Sequence, residues 1–327
     1  MKHITLPGTD LSSSVLGFGC ASLMARIQMP ESVRILESAF EAGVTHFDVA
    51  RSYGYGEAEK AVGAFAATKR DKISITTKFG ILPPRRSTGL DMAKVIARKV
   101  VALYPGMRTM LRNKAATLVS SGRFNVQDAR NSIETSLREL NTDYIDILLL
   151  HECKVSDLQT EELLDFLATL VKKGSIRYFG TATSIDSTQE ILQSLYPDYT
   201  SIIQFPSDPL NQNIHKLPSL NHAKLIHSPL GQGLQQIYKY VNSSSAINAQ
   251  WSEALGMDCS NVNAIIRLML GYAIASNPLG IVLFSSIKEQ NIRGNIASVA
   301  DGGSTEAQIK TFSDLVAQNL APIKLVS

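Results

Sequence analysis

Short runs of β-branched and apolar residues recur along the chain, at residues 15–20, 46–50, 73–78, 144–151, 177–181, 201–205, 224–227 and 280–285. Each has the length of a strand. Between most of them the apolar positions space out at three and four residues, the period of a helix with one buried face. Residues 31–41 place Val33, Leu36, Ala39 and Phe40 on one stripe. Residues 126–140 do the same with Val126, Ala129, Ile133 and Leu137, and Asn125 stands where an N-cap belongs. Leu163, Phe166, Leu167, Leu170 and Val171 mark a further helix, which Gly174 ends.

Several strands are almost continuously apolar, as in Ile145-Asp146-Ile147-Leu148-Leu149-Leu150. A strand covered on both faces belongs to a parallel sheet under helices. Eight such strands alternating with helices predict an α/β fold, a closed (β/α)8 TIM barrel rather than an open doubly wound sheet. No Gly-x-Gly-x-x-Gly follows the first strand, and Gly17-Phe18-Gly19-Cys20 is only a fragment of one, which weighs against a Rossmann domain. Three additions surround the barrel. Residues 3–14, with the turn signal Pro7-Gly8-Thr9-Asp10, predict a hairpin that plugs the barrel base. Residues 80–123 form a long, largely helical insert after the third strand, on the face where barrel active sites lie. The insert is basic, with Asp91 its only acid, and reads as a lid over the site, as a helical pair packed on the barrel, or as a contact surface. Residues after Thr305 predict one further helix packed outside. No boundary divides residues 1–327, which read as one domain.

Composition narrows the function classes. The chain has 327 residues, 44% of them hydrophobic, ample for a large core and far from a disordered composition. A formal net charge of only +3 gives no case for nucleic acid or a membrane surface as partner. Cys20, Cys153 and Cys259 form no CxxC pair and no zinc-type spacing, and read as reduced thiols of a cytosolic protein. The N-terminus lacks the basic-then-apolar run of a signal peptide, and no stretch approaches the roughly 20 apolar residues of a membrane helix. The expectation is a soluble, cytoplasmic protein acting on a small molecule.

In a barrel, polar residues at the C-terminal ends of strands are the candidates for chemistry. Four stand out: Asp48 after His46-Phe47, Tyr53 in the loop that follows, Lys78 after Thr76-Thr77, and His151 after the apolar run. Singly, each reads as a cap, a packing residue or a solvated strand end. Together, adjacent strands bring an acid, a phenol, an ammonium and an imidazole to one rim. A phenol with a pKa of about 10 is a poor proton donor or acceptor near neutrality, and a neighbouring ammonium lowers it by about 1–3 units. A buried lysine needs an anion, which Asp48 supplies. His151 can hold a carbonyl oxygen by hydrogen bond.

The segment Phe47-Asp48-Val49-Ala50-Arg51-Ser52-Tyr53-Gly54-Tyr55-Gly56-Glu57-Ala58-Glu59 resembles the signature of the aldo-keto reductase family. Further matches follow in order: Thr77-Lys78-Phe79, the run from Asp143 to His151, Gly174-Ser175-Ile176-Arg177-Tyr178-Phe179-Gly180, Ser228-Pro229-Leu230-Gly231, and Asn295. The resemblance implies a (β/α)8 barrel that uses NAD(P)(H) without a Rossmann fold and needs no metal. It implies an oxidoreductase that interconverts a carbonyl and an alcohol, with Tyr53 as general acid or base, Lys78 lowering its pKa, Asp48 paired with Lys78, and His151 orienting the carbonyl. Gln204 and Thr183 then hold the nicotinamide amide, beside Ala182, which offers no side-chain donor. Ser228, Leu230 and Gly231 lie against the pyrophosphate, and Ser285, Ser286, Asn291 and Asn295 at the adenosine end. Two cations that would grip a 2′-phosphate are missing there, leaving Lys288 or Arg293 as substitutes. The resemblance favours NADP(H), with NAD(H) as the alternative, and a monomer. Glu152 and Cys153 stand where many members carry an aromatic residue, implying a more polar pocket; Cys153 reads as inert or as a reactive thiol at the mouth. Substrate identity rests with three idiosyncratic connections, residues 80–123, 207–218 and 232–261. The alternative reading is a cofactor-binding regulatory or scaffold protein on the same barrel.

Overall fold

Two short strands open the chain in the computed structural model, which describes residues 1–83, 122–194, 197–218, 222–300 and 303–320. Strands β1 (His3–Thr5) and β2 (Ser12–Ser14) pair antiparallel, with His3 opposite Ser14. The turn between them uses Gly8 at φ +72°, a conformation that costs glycine little. This hairpin is the expected plug: Ile4, Leu6 and Leu11 are buried in one cluster with Ile147, Leu149, Ile202, Leu225 and Ile281.

Those partners point inward from a closed barrel of eight parallel strands. The strands are β3 (Leu16–Gly19), β4 (His46–Asp48), β5 (Ser74–Phe79), β6 (Ile145–His151), β7 (Ile176–Ala182), β8 (Ile202–Pro206), β9 (Ala223–His227) and β10 (Ile281–Phe284). They follow one another in chain order, and β10 closes onto β3 through Val282 opposite Leu16. Period-two alternation sends His46 and Asp48 of β4 inward while Phe47 points outward into the layer under the helices. That outer layer joins Phe18, Phe47, Leu148 and Leu150 to apolar faces of α1 (Met29–Glu41), α2 (Ala58–Ala66), α3 (Val126–Leu140) and α4 (Glu161–Lys172).

Local signals set the helix ends. The Asn125 side chain accepts from the N–H of Asp128 at 2.8 Å and caps α3. Gly174 adopts φ +75° just past α4. Helix α5 (Ile185–Gln193) follows β7, α8 (Val262–Ser276) leads into β10, and α9 (Glu289–Ala300) follows it. The expected last helix is α10 (Glu306–Asn319), started by a reciprocal capping box between Thr305 and Gln308.

One connection differs from its expected loop character. Residues 232–261 hold most of α6 (Gly231–Val241) and all of α7 (Ser245–Leu255). Their Gln- and Ser-rich surfaces conceal a stripe of Ile237, Val241, Trp251 and Leu255, buried against Leu268 and Phe312. The helical spacing expected inside the 80–123 insert falls within residues 84–121, outside the described residues. The neck of that insert is closed: the N–H of Arg123 donates to Gly80 O at 3.0 Å, and Phe124 meets Phe79 edge-on at 5.9 Å. Among the described residues no helix is long and apolar enough to cross a membrane.

Candidate functional site

The C-terminal ends of β4, β5, β6 and β8 converge on one buried polar cluster. Lys78 donates to Asp48 Oδ1 at 2.6 Å and to Val49 O at 3.1 Å. The other carboxylate oxygen, Oδ2, accepts from Gln204 Nε2 at 2.8 Å. A carboxylate only accepts, so the Gln204 amide must turn its nitrogen to Asp48, leaving its oxygen free for another donor. Asp48, Lys78 and Gln204 are all buried, with Lys78 2% exposed, so an unpaired charge here would cost far more than at the surface.

Tyr53 reaches this cluster from the loop after β4. Gly54, Tyr55 and Gly56 take φ of +58°, +59° and +88°, and this left-handed turn reverses the chain directly behind the phenol. The Lys78 ammonium lies against Tyr53, with Nζ 5.0 Å from the ring centroid. The His151 ring meets Tyr53 edge-on at 6.0 Å. The four strand-end residues therefore come together as the sequence pattern anticipates.

Their ionisation differs in one respect from that anticipation. Burial raises the Tyr53 phenol above its ordinary pKa, and the Lys78 ammonium pulls it down only in part. Burial lowers Lys78, but Asp48 and Tyr53 outweigh it and hold the ammonium above its ordinary value. Burial, then Lys78 and His227, lower His151 to about 3, so its imidazole is neutral. His46, one layer deeper between Ser74 at 2.8 Å and Thr76 at 3.2 Å, is also lowered to about 3, by burial and then by Lys78.

A second layer ties these elements together. Glu59 on α2 pairs with Arg51, at the start of the Tyr53 loop. Its other oxygen accepts from the Thr77 hydroxyl at 2.7 Å, the residue before Lys78. One buried carboxylate thus joins the segments that carry the phenol and the ammonium.

The cluster forms the floor of a cavity of about 1180 Å³. Asp48, Tyr53, His151 and Gln204 line it, as do Ser228, Leu230, Gly231 and Ser285 among the expected cofactor contacts. Thr183 does not face it: its hydroxyl is buried 2.7 Å from that of Thr188 inside the following turn. Ser184, the N-cap of α5, lines the cavity in its place. Ser286 accepts from the Lys288 N–H at 3.1 Å, Asn291 is exposed and Asn295 is buried, and none of the three lines the cavity. Arg293 is paired with Glu41 at 3.3 Å on the surface, while Lys288 is exposed. Cys153 is fully buried and its thiol is pushed up, first by burial, which makes it the inert of the two readings.

Sequence reasoning missed His227. It ends β9, lines the cavity beside Ser228, and is lowered to about 4 by burial and then by Lys78. Its signal was position: it closes an expected strand and directly precedes Ser228-Pro229-Leu230-Gly231.

Comparisons with known proteins agree with this geometry. The family model described as Aldo/keto reductase family matches residues 15–316. A probable aldo-keto reductase 1 from Glycine max is 27% identical over 76% of this chain and 66% of its own length. A D-threo-aldose 1-dehydrogenase from a Pseudomonas species is 33% identical over 45% of this chain and 43% of its own; the chain thus spans less than two thirds of either relative. Among solved structures, the holo form of an aldo-keto reductase from Bacillus halodurans superposes with a TM-score of 0.71 at 20% identity, covering 96% of each chain. With the family model spanning every strand of the barrel and the strand-end residues it carries meeting at one rim, the chain belongs to the aldo/keto reductase family.

Proposed function

We propose that this chain is an oxidoreductase that acts on the CH–OH group with NAD(P) as acceptor, interconverting a carbonyl and an alcohol, with Tyr53 as the proton donor and acceptor. The observation that carries this reading is the convergence of Tyr53, Asp48 and His151 on the floor of one cavity, with Lys78 buried against Asp48 beside them. NADP(H) is favoured over NAD(H), and a cytoplasmic monomer acting on a small molecule is the simplest form of the reading.

The residues present fit a nicotinamide dinucleotide. Helix α6 begins at Gly231 on the cavity wall, and no side chain caps its first turn. Its free backbone N–H groups are ready donors for a pyrophosphate. Ser228 and Leu230 flank that end, the free Gln204 oxygen and the Ser184 hydroxyl suit the carboxamide, and Ser285 suits the adenosine end. When bound, the nicotinamide supplies the hydride for carbonyl reduction or accepts it in alcohol oxidation.

The side chains supply the proton. The raised Tyr53 phenol is protonated at neutral pH and donates to the carbonyl oxygen as the alcohol forms. In oxidation the same oxygen takes the proton back, and the Lys78 ammonium stabilises the phenolate. Asp48 keeps Lys78 charged and in place. Neutral His151 can donate one N–H to the carbonyl oxygen without titrating near neutrality.

Titrating the purified protein with NADPH and then NADH tests the cofactor assignment. Trp251, the chain's one tryptophan, sits in the apolar cluster that packs α6, the helix whose first residue lines the cavity, and its fluorescence is the readout. Saturable quenching, tighter for NADPH and weakened by Lys288→Ala, is expected. Binding of neither would remove the assignment, and binding without turnover of any carbonyl would favour a regulatory protein.

A further inference from the structure

Glu152 directly follows His151 at the end of β6 and lines the cavity. Its backbone is left-handed, with φ +56°, a strained choice for a residue other than glycine and one that concentrates at functional sites. Its N–H donates to Ala182 O at 2.8 Å. Its side chain is exposed on the cavity wall, which it shares with Ser184, the N-cap of α5. The wall next in the chain to His151 thus carries a carboxylate with acceptor capacity for a ligand.

The neighbouring polar groups sort into spent and unspent. Asn211 gives its amide to Asp208, and Asn213 donates to Pro206 O at 2.9 Å. Asp186, in the first turn of α5, adds an acceptor to the wall. Lys216 donates to Asn213 Oδ1 at 2.8 Å and keeps further N–H donors. Arg26 lines the cavity too, so the wall outside the Asp48–Lys78 pair carries both signs. A charged substituent meets attraction and repulsion together. An alkyl substituent strips water from these groups and returns no hydrogen bond. A neutral chain of hydroxyl groups donates to the carboxylates and accepts from the cations.

We propose that Glu152 is a specificity-determining residue that accepts a hydrogen bond from a substrate hydroxyl near the carbonyl, so that the cavity selects neutral, polyhydroxylated carbonyl compounds. This rests on the oxidoreductase reading above. The test is kcat/KM for glyceraldehyde and for propanal with NADPH, in the natural protein, Glu152→Gln and Glu152→Ala, with thermal melting as a check on folding. The expected result is a preference for glyceraldehyde of about 10- to 100-fold that falls about tenfold or more in Glu152→Ala, with Glu152→Gln between them because its amide oxygen still accepts. A ratio near one in the natural protein, or a ratio that Glu152→Ala leaves in place, would overturn the assignment of Glu152 while leaving the oxidoreductase reading standing. Turnover of neither aldehyde, nor of any other carbonyl, would remove both.

Discussion

At the scale of residues, burial and neighbouring charge together set the ionisation of Tyr53, Lys78 and His151. Tyr53 loses water, which favours the neutral phenol, and gains an ammonium, which favours phenolate; burial prevails. For Lys78 the balance reverses, because Asp48 and Tyr53 answer its charge. At His151 the Lys78 ammonium and His227 add to burial, and the imidazole is lowered to about 3. This gives a definite pH dependence. Above its lowered pKa His151 carries no proton to lose, and Tyr53 stays protonated up to alkaline pH. The kcat/KM for carbonyl reduction is therefore expected to be level between about pH 5 and 8, without the step near 6.5 of an ordinary histidine. With Tyr53 proposed as the base of oxidation, that direction should rise with pH across the same range. A step near 6.5 that disappears in a His151 variant would contradict the neutral imidazole.

At the scale of elements, the site depends on two segments meeting in register. Strand β4 presents Asp48 and β5 presents Lys78 through the same period-two alternation, with Asp48 paired to Thr76 in the barrel register. Glu59 links Arg51 to Thr77 from behind. Removing it leaves the largely covered Arg51, 11% exposed, without its partner, a change that costs about 1–3 kcal/mol. Glu59→Ala should lower the unfolding free energy by about that amount and reduce kcat, measured by chemical denaturation and steady-state rates; loss of neither would show that the link is dispensable. Helix α2 is set against α3 with similar tightness: a Cβ at Gly63 would lie 2.8 Å from the Leu140 carbonyl carbon. Much of this scale was legible in the sequence. The apolar runs mark the strands to within about two residues, because strands buried on both faces tolerate few polar positions, and Asn125 and Gly174 mark their helix ends through backbone chemistry. Helices α6 and α7 were not legible as helices, because their apolar stripe is narrow and completed by Leu268 and Phe312 from distant segments. Thr183 was placed by alignment alone, and only the structure shows its hydroxyl used within the chain by Thr188.

At the scale of the whole molecule, the two ends of the barrel do different work. The base is sealed: Ile4, Leu6 and Leu11 fill its mouth. Around it Arg177 bridges Asp10 of the hairpin to Asp146 of β6, at 2.7 and 3.0 Å, and Arg70 takes the other Asp146 oxygen at 2.7 Å. The opposite end opens into the cavity, where the strand ends carry polar and ionisable side chains in place of apolar packing. The four residues at its floor were legible because each ends a strand or begins the loop after one. The direction of the Tyr53 shift was not legible, since residue identities do not show how far burial outweighs a neighbouring charge. The central claim is that Tyr53 moves the proton while the rest of the site binds. The most direct measurement is the rate of NADPH oxidation with glyceraldehyde for the natural protein and for Tyr53→Phe, each shown by fluorescence titration to bind NADPH. Binding within a few-fold of the natural protein with turnover lower by about 10²- to 10⁴-fold is the expected result. Turnover in Tyr53→Phe close to that of the natural protein would contradict the account.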